Sequence, residues 1–215
     1  MLRLTPVVKN LIIINVIVFI GGMIAPRADF IEACIGYSGS GTMDVIYGRL
    51  AMWNSRTPCW QPYQLFTYMF VHGDFMHLFF NMLGLAFIAP MLESFWGPKR
   101  FTTFILVTGI GAGIFHLLID KYVTGGALGS YGTMVGASGA LYGVLMGFGM
   151  LFPNMEIMLL IPPIPIKAKY LVVLLGGLTF LMDRSGQVAH FTHLGGVIFA
   201  FILIKYWGHS GGSYS

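Results

Sequence analysis

Six apolar stretches, separated by short polar or basic breaks, occupy most of this chain. They run from about Val7 to Ile24, Gln64 to Pro90, Phe101 to Tyr122, Gly136 to Phe152, Tyr170 to Met182 and His190 to Trp207. A helix needs about 20 apolar residues to cross a bilayer, because lipid offers no partner for an open backbone N–H or C=O. Only 9% of the residues are charged, against about a quarter in a soluble domain. So few charges cannot cover a water-facing surface. The expected fold is therefore an all-α integral membrane bundle of six transmembrane helices, forming a single domain over residues 1–215 with a flexible tail at about 208–215. The fourth and fifth runs are short and rich in glycine, which suits helices enclosed by others.

The basic residues orient the bundle. Arg3 and Lys9 precede or begin the first run, Lys99 and Arg100 separate the second and third, Lys167 and Lys169 separate the fourth and fifth, and Lys205 ends the sixth. With six spans these positions share one side, and the positive-inside rule makes that side cytoplasmic. Both termini are expected there. The first run has the outline of a signal peptide but is read as an uncleaved helix. The net charge is +4, spread over these short clusters with no long basic tract, so nucleic acid is not an expected partner. The lipid bilayer is. The composition, with no targeting sequence, fits a bacterial plasma membrane and leaves an organelle membrane open.

The long loop from Ala25 to Tyr63 carries Trp53, Trp60, Pro58 and Pro62. It is too aromatic for a floppy linker and is expected to be structured at the membrane interface. It also holds both cysteines, Cys34 and Cys59. A disulfide and two free thiols are equally compatible with the sequence.

Ionisable and polar groups inside membrane spans are costly and tend to be functional. Here they are His72, His77 and Asn81 in the second run, Glu93 near its end, His116 in the third, Ser138 and Tyr142 in the fourth, and His190 and His193 in the sixth. The second, fourth and sixth spans run in the same direction. Their polar residues lie near their starts, so they converge at one outer depth. The chemistry available there is acyl transfer. His193 can take a proton from the Ser138 hydroxyl. Ser138 opens a helix, where free N–H groups and the dipole favour an oxyanion. His77 and Asn81 are four residues apart, hence on one face, and can both donate hydrogen bonds. Gly136, Ala137, Gly139 and Ala140 around the serine, with Gly195, Gly196 and Ala200 on the sixth span, would let the two helices approach closely. Tyr142, one turn after Ser138, is placed to pack against His193. No carboxylate has the obvious task of orienting His193, since Asp183 falls in a loop. The constellation is thus a Ser–His dyad.

Other roles are plainer. His72 and Asp74 cap the entry to the second span, Glu93 links loops on the inner side, and His116 makes an interhelical hydrogen bond. A metal centre is not expected, because H-E-x-x-H is absent and neither His190 nor His193 has an acidic residue within one turn. No cofactor is called for.

In these residues the chain resembles the rhomboid intramembrane serine proteases. "HGDFMHLFFN" is similar to their H-x-x-x-N (His77, Asn81), "ESFWG" to E-x-x-x-G (Glu93, Gly97), "GASGALYG" to G-x-S-G with a following tyrosine, and "HFTHLGG" to H-x-G-G with His193 as the base. The resemblance implies that Ser138 attacks the scissile carbonyl and His193 shuttles the proton. His77, Asn81 and the Ser138 N–H would bind the oxyanion, with Gly136 admitting substrate and Tyr142 supporting His193. Its substrates would be transmembrane segments of other membrane proteins, unwound and cut near the outer face. Many members carry an arginine beside the first-loop tryptophan, whereas here Arg56 follows Trp53 by three residues. The alternative is a non-catalytic rhomboid-like protein that binds membrane clients; such proteins typically lack the Ser or His kept here. A transporter would spread its polar groups across the membrane.

Overall fold

The computed structural model describes residues 3–35, 42–123, 133–158, 164–182 and 188–209. The expectations for Asp183 and for residues 210–215 of the tail fall outside these. The helices are α1 (Pro6–Ile24), α2 (Phe30–Ile35), α3 (Val45–Leu50), α4 (Gln64–Thr67), α5 (Phe75–Trp96), α6 (Pro98–Tyr122), α7 (Ser138–Leu151), α8 (Ala168–Met182) and α9 (Val188–His209). Among the described residues, short strands form three antiparallel pairs: β1 (Arg27–Ala28) with β2 (Met43–Asp44), β3 (Met52–Trp53) with β4 (Thr133–Met134), and β5 (Glu156–Met158) with β6 (Pro165–Lys167).

Among the described residues, four helices, α1, α5, α6 and α9, are long and apolar enough to cross a membrane, while α7 and α8 are shorter apolar helices, so six full-length spans are not shown. Helix α7 has 14 residues, or about 21 Å of rise, less than the ~30 Å hydrocarbon core. It packs against α5, α6, α8 and α9, as expected of a helix enclosed by others. Helix α9 runs on to His209, slightly past the point read as the start of the tail.

The second apolar run needs correction. It does not form one span from Gln64 to Pro90. Gln64–Thr67 and a 3₁₀ turn at Tyr68–Phe70 belong to the first loop, and the spanning helix begins only at Phe75 and continues to Trp96. Val71 is extended and ends the turn. Asp74 then starts α5, its carboxylate accepting the backbone N–H of His77 at 2.8 Å. Hydropathy runs on unbroken from Leu65 to Val71, which hides the break; the cap at Asp74 is the local signal for it.

At the other end of α5, the buried Glu93 caps a different helix. Thr5 provides no side-chain cap for α1. Instead Glu93 accepts the backbone N–H groups of Val7 and Val8, both at 3.0 Å, and the Thr5 hydroxyl. A carboxylate against the positive end of α1 satisfies donors that lipid could not. Gly97, at φ 77°, turns the chain directly into Pro98 at the start of α6. Glu93 thus has a structural role, as expected, but as the cap of α1 and not as a link between loops.

Helices in lipid gain little from apolar burial against each other, so close contact must hold them. A Cβ on Gly196 of α9 would lie 1.9 Å from the Gly139 carbonyl oxygen of α7, and one on Gly139 would lie 2.7 Å from the Ala112 Cβ of α6. Three helices therefore meet close to backbone distance. Gly196→Ala must push α7 and α9 apart and is expected to cost roughly 1–3 kcal/mol or more. Gly177→Ala, with open space around it, should be neutral or slightly stabilising. Thermal unfolding of both variants in detergent checks the contrast.

Candidate active site

The chain enters α7 through Gly136 and Ala137, and this turn is held from the 68–77 segment. The Gly136 N–H donates to the Tyr68 carbonyl at 2.9 Å. The Ala137 N–H points to His72 Nε2 at 3.5 Å. The His77 ring lies so close to Gly136 that a Cβ there would sit 2.6 Å from Nε2. Gly136 also has φ 111°, where L side chains are strained. Two independent constraints thus require glycine two residues before the serine. Ser138 is the first residue of α7 and is half-buried.

One turn on, the buried Tyr142 stacks on His193, with ring centroids 4.1 Å apart and planes 13° from parallel. The Tyr142 hydroxyl donates to the Leu175 carbonyl of α8 at 3.1 Å. The contact between the Gly139 carbonyl and Gly196 lies one residue after Ser138 and one turn after His193. The histidine is therefore fixed against α7 from two directions: a ring stack and a helix–helix contact.

His77 and Asn81 share a face of α5, but Asn81 differs from expectation. Its side-chain N–H donates to the His77 carbonyl in its own helix at 2.8 Å, and its Oδ1 is buried without a hydrogen-bond partner. One of its two amide hydrogens is spent locally, leaving one for the site. His190 and His193 line a cleft of about 290 Å³ together with Tyr142, Val172, Val173 and Gly176. Among the described residues, no group of three or more His, Cys, Asp or Glu could hold a metal. The Thr192 hydroxyl lies 3.5 Å from His116 Nδ1, which is the interhelical bond expected of His116.

Sequence reasoning read His72 only as an entry cap. The structure brings its ring edge-on to His77, with centroids 4.9 Å apart, and against the Ala137 N–H. His72 is buried. Burial, and secondarily the neighbouring His77, push its pKa down to about 4. A neutral Nε2 can accept from Ala137; a protonated one cannot. Because the folded pKa lies below the ordinary ~6.5, only the unfolded chain takes up the proton as pH falls through that value. Stability should therefore decline between about pH 6.5 and pH 4. In His72→Gln this decline should flatten, as melting curves across that range will show. Gly136→Ala is expected to lose roughly 1–3 kcal/mol of stability from backbone strain alone, and more from displacing His77, on the same assay.

A bundle of apolar helices with histidines and a serine gathered at one end defines a membrane-embedded protein with a polar intramembrane site. The model of the rhomboid domain matches residues 59–210, and this chain belongs to the rhomboid family. It is 33% identical over 129 residues to Rhomboid protein 1, mitochondrial, of Saccharomyces cerevisiae, covering 59% of this chain and 36% of that protein. It is 28% identical over 141 residues to RHOMBOID-like protein 1 of Arabidopsis thaliana, covering 66% of this chain and 33% of that one. It is 31% identical over 156 residues to YdcA of Bacillus subtilis, provisionally named a rhomboid protease, covering 66% and 68%. The chain spans only about a third of the length of the yeast and Arabidopsis relatives. Membership supports a membrane location; with mitochondrial and bacterial relatives alike, it does not select the bacterial plasma membrane.

Proposed function

We propose that the protein is an intramembrane serine endopeptidase that cuts transmembrane segments of other membrane proteins near one membrane face. The observation that carries this reading is the stack of Tyr142 on His193 one turn after a serine that opens a helix. It presents a half-buried imidazole on a rigid support beside the N-terminus of α7.

In this reading Ser138 Oγ attacks the scissile carbonyl as His193 takes its proton. The oxyanion is met by the Ser138 N–H, by His77 and by the remaining amide hydrogen of Asn81, aided by the positive end of the α7 dipole. Collapse of the intermediate breaks the C–N bond, and His193 gives its proton to the leaving amine. Water, deprotonated by His193, then releases the acyl group and restores the serine. A helical substrate must unwind first, because its carbonyls are already hydrogen-bonded. Gly and Pro lower that cost, by roughly 1 and 3 kcal/mol per residue relative to Ala.

The disulfide between Cys34 and Cys59 answers the question that the sequence left open about these cysteines. Such bonds persist on the oxidising side of a membrane. In this reading the first loop faces that oxidising side, the site opens toward it and the termini lie on the cytoplasmic side.

In proteoliposomes, the wild-type protein is expected to cleave a single-span reporter with a Gly or Pro near its outer end. Ser138→Ala and His193→Ala should be inactive, and Asn81→Ala slower by up to about 10²–10³. Wild-type cleavage by Ser138→Ala contradicts the reading.

A further inference from the structure

We infer that Gln64 is a positioning residue for the candidate site, acting through the β3–β4 strand pair. Gln64 is 1% exposed and is the first residue of α4, within a stretch that hydropathy alone assigns to a membrane span. Its Oε1 accepts the backbone N–H groups of Trp53 at 3.3 Å and Gln61 at 3.1 Å. Its Nε2 donates to the carbonyls of Arg49 at 3.2 Å and Cys59 at 3.1 Å. Two donor and two acceptor contacts use the carboxamide in full. No apolar or singly charged side chain of this size can make all four.

These contacts converge on β3. Trp53 is buried, its indole N–H donating to the Gly48 carbonyl at 2.7 Å. Met52 and Trp53 pair with Met134 and Thr133 of β4. Strand β4 ends at Met134, two residues before Gly136 and four before Ser138. From the other side, the Thr192 hydroxyl, beside His193, lies in contact with the Met134 sulfur. The strand that delivers the serine is thus fixed between the first loop and α9, and Gln64 is where the loop side is tied together. The disulfide strengthens the tie, since Cys59 is bonded both to Cys34 and, through its carbonyl, to Gln64. Together the first loop serves as a scaffold for the turn before Ser138.

The kinetic arm of the test rests on the protease reading; the exchange arm does not. Hydrogen exchange of the full-length protein in detergent should show residues 133–138 exchanging at least tenfold faster in Gln64→Leu, with the middle of α6 unchanged. Fluorophosphonate labelling of Ser138 and kcat should fall at least tenfold with little change in KM. Gln64→Glu, which keeps the acceptor for Trp53, should recover part of both. Unchanged exchange at 133–138 in Gln64→Leu overturns the proposal. So does faster exchange with labelling and kcat at wild-type values, which would leave Gln64 a loop-stabilising residue only. If the wild type itself neither labels nor cleaves, the serine reading fails, and exchange alone decides the role of Gln64. Should Gln64→Leu not fold, the same comparison is made on Gln64→Glu and on wild type reduced after folding, with reduction confirmed by alkylation. Exchange at 133–138 should then rise at least threefold, and no rise overturns the proposal.

Discussion

The close approach of α7 and α9 at Gly139 and Gly196 is the contact on which the rest of the site depends. With no room even for a methyl group between a carbonyl oxygen and a helix backbone, the two helices are locked in register. That register sets Tyr142 beneath His193 and sets the start of α7 beside His72 and, on α5, His77. Interhelical hydrogen bonds in membranes contribute only about 0.6–2 kcal/mol each. Dense packing of small residues is therefore the force that can hold a reactive geometry here, and it explains why the chain spends so many glycines on two helices.

Around that contact, polar groups are satisfied across helices rather than within them. Glu93 of α5 caps α1, Tyr68 and His72 hold the turn before α7, and Tyr142 reaches α8. Each replaces a water that the bilayer does not supply. The same economy orders the first loop, where a buried carboxamide, a buried tryptophan and a disulfide substitute for the large apolar core that so short a segment lacks. The loop is accordingly part of the site's framework.

Much of this was legible in the sequence. Apolar run length located the helices, and the small residues around Ser138 and His193 announced a close crossing that the structure contains. The stack of Tyr142 on His193 followed from a spacing of one turn, and a structural role for Glu93 from its place at the end of its run, though not its capping of α1. Other features were not legible. The apolar run from Leu65 to Val71 has the hydropathy of a span but folds as loop, because tertiary hydrogen bonds through Gln64 override composition. The local back-bond of Asn81 depends on rotamer choice, which spacing does not report. The disulfide depended on the path of a loop that no periodicity describes, and the contact of His72 with Ala137 joins residues 65 positions apart.

The central claim is that Ser138 is a nucleophile activated by His193. It is tested most directly by treating the purified protein with a fluorophosphonate and mapping the adduct by mass spectrometry. The account predicts a single modification, on Ser138, that disappears in Ser138→Ala and in a folded His193→Ala. Equal modification of Ser138→Ala, or undiminished labelling of Ser138 without His193, would contradict it.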